Sequence, residues 1–153
     1  MTTAIQPQLA TGHIGLNVSD LDRSVDFYQR ALGFEQLAAS TDDDRRWAFL
    51  GAAGKLVVTL WEQSDGAFST ETPGLHHLSF QVDTIEQVRS VEAVLRELAV
   101  KFAHEGVVAH GEGVASGGIF FADPDGIRLE VYAPTGAESA PAPAGAAPTC
   151  GFF

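Results

Sequence analysis

The chain has 153 residues, enough for one domain or two small modules around a shared core, with the 45% hydrophobic and 19% charged content of an ordinary soluble globular protein. Nine Lys and Arg against 20 Asp and Glu give a formal net charge of −11, and the longest basic run is Arg45-Arg46, so neither nucleic acid nor an anionic membrane surface is an expected partner. The single cysteine, Cys150, rules out an intrachain disulfide framework and a Cys-rich zinc site.

Residues 1–11 read as an N-terminal arm. The opening MTTAIQPQLATG lacks a basic stretch followed by an apolar one, so no secretory signal is expected, and no run approaches the roughly 20 apolar residues of a spanning helix. A cytoplasmic protein is the expectation. A first module spans 12–63. Its strand at 12–18 leads to a helix at 21–32, where Leu21, Val25, Tyr28 and Leu32 recur at helical spacing. Ser19 or Asp20 can cap that helix, and Gly33 closes it where a left-handed residue is needed. Strands follow near 34–40, 46–51 and 55–62, with Asp42-Asp43-Asp44 as a solvated loop. Residues 64–74 are a linker.

The second module, 75–133, opens on GLHHLSFQV at 74–82. Alternation along a strand at 76–82 puts His77 with Ser79 and Gln81, while His76 goes with Leu78, Phe80 and Val82 as a packed or edge residue. The helix at 84–99 carries Val88, Val91, Val94, Leu95 and Leu98 on one stripe and is capped by Asp83 or Thr84. Strands near 105–110, 117–122 and 127–133 complete the module, with DPDG (123–126) as the clearest turn signal. His104 and His110 fall in or near loops. The tail, 134–153, is rich in Pro, Ala and Gly and offers no means of packing a core, although the closing CGFF could dock an apolar end.

The two modules are a repeat. HIGLNVSDLDRSVDFYQRAL from His13 matches HLSFQVDTIEQVRSVEAVLREL from His77, and FLGAAGKLVVTLW from Phe49 lies over FFADPDGIRLEVY from Phe120 without a gap. This register makes His13 equivalent to His77 and pairs Thr59 with Glu130. A carboxylate between Leu129 and Val131 is expensive to bury unless it is paired or metal-bound. Two imidazoles and one carboxylate form a 2-His-1-carboxylate face, with open coordination positions, that suits Fe(II), Mn(II), Ni(II) or Zn(II). His13, His77 and Glu130 are therefore the candidate metal ligands. Each imidazole needs a partner for its second nitrogen, and the sequence does not show one. Glu62 is opposite in parity to Thr59 and should face away from the metal unless the strand bulges.

HIGLNVSDLDRSVDFYQRALGF, LHHLSFQVD and FFADPDGIRLEVY resemble the vicinal oxygen chelate superfamily, which includes glyoxalase I, extradiol dioxygenases, methylmalonyl-CoA epimerase and the fosfomycin and bleomycin resistance proteins. The resemblance covers residues 13 to 133. It implies an α+β fold in which two βαβββ modules pair into a cupped, incomplete mixed-sheet barrel around a divalent metal, and it places family ligands on His13, His77 and Glu130. It also implies a homodimer, since open βαβββ sheets have edges to cover and in many relatives two chains complete each cup. The substrate is expected to be a small molecule chelated through two neighbouring oxygens.

Within the family, glyoxalase I and the epimerase use a fourth protein ligand where this chain has Thr59. The three-ligand set resembles the extradiol dioxygenases and fosfomycin thiol transferases, which favours dioxygenase-type chemistry with Fe(II). Phe120, where those dioxygenases carry a tyrosine, pulls the other way. His110 lies close to a histidine of the dioxygenases and is the candidate proton carrier, beside Glu130 itself. A glyoxalase-I-like lyase or isomerase is the alternative. A third reading is a non-enzymatic drug-binding protein whose sheet holds a ligand against Trp47, Phe49, Trp61 and Phe120. Phe49, Thr59, Trp61 and Phe120 are the expected substrate-contacting residues.

Overall fold

The computed structural model describes residues 6–143 and 145–153, so the first five residues of the expected arm lie outside it. Module one contains β1 (Ile14–Val18), α1 (Leu21–Leu32), β2 (Glu35–Asp42), β3 (Arg45–Ala52) and β4 (Lys55–Glu62). Module two contains β5 (Leu78–Gln81), α2 (Ile85–Glu97), β6 (Val108–Ala109), β7 (Gly117–Ala122) and β8 (Arg128–Ala133), followed by a 3-10 turn at Thr149–Gly151. Of the alternative caps, Asp20 starts α1 by accepting the Arg23 N–H at 3.0 Å. Thr84 starts α2 in a reciprocal box with Gln87. Such caps contribute about 1 kcal/mol each. Gly33 ends α1 at φ 70°, a conformation that favours glycine. None of the described helices is long and apolar enough to cross a membrane.

Two four-stranded mixed sheets result, in the orders β1-β4-β3-β2 and β5-β8-β7-β6, and they do not close into a barrel. The first strand of each module runs parallel to its last, with Gly15 opposite Thr59 and Ser79 opposite Glu130. The third strand of each is antiparallel to the last, with Phe49 opposite Thr59 and Phe120 opposite Glu130. The sequence repeat is therefore also a register repeat.

One continuous apolar core joins the modules, and α1 packs both on its own sheet and against α2. The DPDG turn supplies the polar part of the joint. The Tyr28 hydroxyl donates to Asp123 Oδ2 at 2.9 Å, while Asp123 Oδ1 accepts the N–H groups of Asp125 and Ile127, both at 2.9 Å. Asp125 accepts the Ser19 N–H at 3.1 Å, the Ser19 hydroxyl, and Arg23 Nη2 at 3.0 Å. A turn predicted to join two strands thus also grips the start of α1.

Two expectations are revised. β5 begins at Leu78, so His76 lies in a bend outside the strand. The segment after β8 is not an unpacked tail. It folds back on the edge strand β6, where Pro141 C=O accepts the Ala109 N–H at 2.9 Å and the Thr149 hydroxyl donates to Ala109 C=O at 2.7 Å. The Thr149 N–H also donates to His110 C=O at 2.9 Å. Ala137 and Thr149 are fully buried. Small residues make this possible: a Cβ on Gly117 would lie 2.6 Å from the Ala137 Cβ. The composition that argues against a core instead permits close backbone contact.

Burial raises the Asp123 pKa above the ordinary carboxylate value, against the hydrogen bonds that lower it. A carboxyl with a raised folded-state pKa favours the fold fully below its unfolded pKa, and that contribution is lost as pH rises through the folded value. Asp123→Asn should therefore gain stability relative to wild type as pH rises above the ordinary carboxylate range, measured by urea denaturation. Tyr28→Phe should lose about 1–2 kcal/mol and Asp123→Ala about 2–3 kcal/mol. A wild-type midpoint for Asp123→Ala would show that the joint rests on apolar packing alone.

Candidate metal centre

Alternation sorts each sheet into a helix-covered face and an open one. In the first sheet, Ala48, Leu50, Val58 and Leu60 are fully buried in the core. The opposite face carries Trp47, Phe49, Thr59 and Trp61. The three rings pack with centroids 4.6 Å (Trp47–Phe49), 6.0 Å (Trp47–Trp61) and 6.1 Å (Phe49–Trp61) apart, and all three stay half-buried. Trp61 Nε1 donates to Thr59 Oγ1 at 3.0 Å. A Cβ on Gly15 would lie 3.3 Å from that oxygen, so Gly15 shares this face, and His13 is exposed just before β1.

The second sheet repeats the pattern with different chemistry. Ile119, Phe121, Leu129 and Val131 enter the core. Glu130, 3% exposed, points to the other face. His77 Nε2 lies 3.3 Å from Glu130 Oε2, and His110 Nε2 lies 2.5 Å from Glu130 Oε1. Both imidazoles are held at their second nitrogen. His77 Nδ1 is 2.8 Å from His76 Nδ1, and His110 Nδ1 is 2.8 Å from Ser116 Oγ. Phe120, fully buried, lies beside Glu130 with its ring 6.3 Å from that of His110 and 5.4 Å from that of His104. Burial lowers the His77 pKa below its ordinary value, although Glu130 opposes this, and the neutral imidazole it favours is the metal-binding form.

One chain thus brings His77, His110, Glu130 and Phe120 together. Phe49, Thr59 and Trp61 belong to the open face of the first sheet, and His13 lies exposed just before β1. No hydrogen bond or ring contact joins His13 to the Glu130 cluster among the described residues, and no group of three or more His, Cys, Asp or Glu side chains there is placed to hold a metal. The donor set around Glu130 nonetheless fits a divalent cation. A buried carboxylate faces two imidazole nitrogens, and each ring is oriented by a second partner.

Four contributors are not visible from sequence. Parity assigns His76 to the apolar set, but the bend preceding β5 turns its Nδ1 toward His77. Ser116 closes the HGEGVASGG loop opposite His110, and the hydrogen bond from His110 N–H to Ser116 C=O at 3.0 Å is the sort of short-range closure that a Gly-rich loop allows. His104 is half-buried rather than exposed, with its Nε2 buried and unpartnered. Phe153 places its ring 5.5 Å from His77 and 5.3 Å from Phe120. Glu62 serves the fold, since its Oε2 accepts the Leu21 N–H at 2.7 Å and Arg46 Nε at 3.2 Å, which fixes the start of α1.

A repeated βαβββ fold with an acid–imidazole cluster on one open sheet face is the architecture of a family. Residues 10–131 match the Glyoxalase/Bleomycin resistance protein/Dioxygenase superfamily, and the chain belongs to it. It is 30% identical over 134 residues to the catechol-2,3-dioxygenase of Bacillus subtilis (strain 168), covering 86% of this chain and 44% of that protein. The chain therefore spans less than half the length of that relative. It is 30% identical over 124 residues to the lactoylglutathione lyase of Neisseria meningitidis serogroup B, covering 77% of this chain and 86% of the lyase. Among solved structures, a glyoxylase/bleomycin resistance protein/dioxygenase domain from Frankia sp. EAN1pec superposes with a TM-score of 0.72 at 26% identity, covering 83% of this chain and 98% of that one. The fosfomycin resistance protein FosX from Listeria monocytogenes, complexed with Mn(II) and sulfate, gives 0.61 at 26% identity over 84% and 95% of the two chains.

A buried carboxylate held for chemistry is a burden on the empty fold. Metal-free Glu130→Gln, which keeps the shape and removes the charge, should melt at or above the wild-type temperature by calorimetry. A fall of more than about 4 °C, on the order of 1 kcal/mol for a chain of this size, would mark Glu130 as a structural residue.

Proposed function

We propose that the protein is a divalent-metal-dependent enzyme that chelates a small substrate through two neighbouring oxygens and performs dioxygenase-type chemistry. His77 and Glu130 of one chain would hold the metal together with His13 of a second copy, the chains forming a homodimer. The observation that carries this reading is the Glu130 cluster, a buried carboxylate between Leu129 and Val131 that meets two oriented imidazoles. The half-exposed aromatic face of the first sheet, with His13 exposed just ahead of β1, supports completion by a second chain.

When bound, the metal would supply Lewis acidity and a template for both substrate oxygens. The chain's residues do the rest. Thr59 is engaged by the Trp61 indole, which supports a three-ligand set with a further position open. His110 is fixed at Nδ1 by Ser116 and touches Glu130 through Nε2, and once the Glu130 carboxylate turns to a metal its Nε2 would be free to take a proton from a substrate hydroxyl and return it later. Phe120, Phe49 and Trp61 would exclude water and contact the substrate body. Fe(II) is the metal this chemistry asks for, while Mn(II), Ni(II) or Zn(II) would suit the same donors. The absence of a hydroxyl at Phe120 favours a second reading, a glyoxalase-I-like lyase or isomerase in which His110 or Glu130 shuttles a proton between neighbouring carbons.

Metal content measured after loading should fall steeply in His13→Ala, His77→Ala and Glu130→Ala, and wild-type content in all three would sink the site. Mixing His13→Ala and His77→Ala chains separates the two ways of assembling it. If the ligands come from two chains, each mixed dimer regains one intact site, so about a quarter of the wild-type metal returns after exchange. If they come from one chain, none returns. For the reaction, iron-loaded protein should consume O2 with catechols. Turnover confined to nickel- or zinc-loaded protein with methylglyoxal and glutathione would establish the lyase reading instead.

A further inference from the structure

The segment after β8 reaches the candidate site at two points, and neither serves the fold alone. Thr149 bonds through its N–H to the carbonyl of His110 and through its hydroxyl to that of Ala109, so the segment is pinned to the backbone of the residue whose imidazole meets Glu130. Four residues later the Phe153 ring lies 5.5 Å from the His77 ring at an interplanar angle of 37°, and 5.3 Å from the Phe120 ring at 76°. The Arg128 guanidinium sits 5.4 Å from the centre of the same ring and the His76 ring 6.4 Å from it. Phe152, next to it, is 57% exposed. Of two adjacent phenylalanines, one is left in water and the other is set among the side chains that surround His77 and Glu130.

We propose that Phe153 is a specificity-determining residue, an aromatic wall of the His77–Glu130 site anchored by Thr149, and that it selects substrates whose chelating oxygens sit on a planar, unsaturated body. The inference rests on the chelation reading above. Phe153 stands at 76° to the fully buried Phe120, so it is Phe153 that presents aromatic surface at the site, on which a flat ring can stack. An aliphatic chelator of similar oxygen geometry has no comparable surface to offer. The Arg128 guanidinium, 5.4 Å from the ring centre, supports the wall through a cation–π contact.

The test uses the full chain loaded with Mn(II), which binds chelators without consuming them, and two probes that each present two neighbouring oxygens: 4-nitrocatechol and acetohydroxamate. Phe153→Ala should weaken 4-nitrocatechol about three- to tenfold while leaving acetohydroxamate within about twofold, and Phe153→Trp should hold both near wild type. Thr149→Val, which keeps the buried shape and removes the anchoring hydroxyl, should give a smaller loss of the same selectivity. In metal-free protein, acylation of His77 by diethylpyrocarbonate, mapped by peptide mass, should run severalfold faster in Phe153→Ala, with His13 unchanged. Equal effects of Phe153→Ala on both probes, or none on either, would overturn the inference and leave the chelation reading standing. Wild-type protein that takes up Mn(II) but binds neither probe, or takes up none, would overturn the chelation reading and this inference with it.

Discussion

A carboxylate taken out of water on a strand of the core is the constraint around which this molecule is arranged. Glu130 occupies β8 between Leu129 and Val131, whose side chains enter the apolar core. Strand alternation leaves the Glu130 side chain one direction only, onto the open face, where little solvent reaches it. A bare charge there would be costly by several kcal/mol. The fold answers with two imidazoles, one on the segment leading into β5 and one after β6, which come from opposite sides of β8 because β5 and β7 flank it. Each imidazole is in turn fixed by a short-range partner. His76 and Ser116 are therefore not incidental polar neighbours, since a free ring would forfeit part of the compensation that lets Glu130 stay buried.

The two modules show how a repeat divides its labour. Both place a polar side chain at the centre of the last strand's open face, and both satisfy it. In the second module the polar group is a carboxylate answered by imidazoles. In the first it is the Thr59 hydroxyl answered by the Trp61 indole, and three half-exposed rings surround it. One half supplies charge and the other supplies apolar surface. Their relation within the chain is fixed by a buried tyrosine–aspartate bond and a continuous core, so neither open face is free to reorient by itself.

Much of this is legible in the sequence. The order and type of the elements, the register of the repeat, and the pairing of Thr59 with Glu130 follow from periodicity and turn chemistry, because those are local signals, although the strand expected at 105–110 shrinks to Val108–Ala109. Equivalence and parity single out His77 and Glu130, and the family resemblance adds His110. Two residues of difference in where a strand starts defeat the reading of His76, since parity holds only inside the strand. Ser116, Thr149 and Phe153 are invisible for another reason. Their roles depend on a loop and a tail closing on β6, and neither segment has a hydrophobic period that would announce a contact. Asp123 and Asp125 read as turn residues, which they are, but the grip of the turn on α1 joins residues about a hundred positions apart. No window of sequence spans that distance.

The shortness of β6 carries a last consequence. Two residues paired with β7 are too few to hold a strand by ladder bonds alone. His110 follows this strand directly, so the position of its imidazole is only as secure as β6. Pro141 and Thr149 add the missing partners on the outer edge, bonding Ala109 and His110 where a further strand would otherwise lie. The same segment that ends in Phe153 therefore also holds the backbone of His110. Loosening it would remove the Phe153 ring and release the imidazole at Glu130 Oε1 together, so closure over the site and placement of His110 are one structural event. A segment poor in large apolar residues can do this because it contributes backbone hydrogen bonds and two well-placed side chains rather than a core of its own.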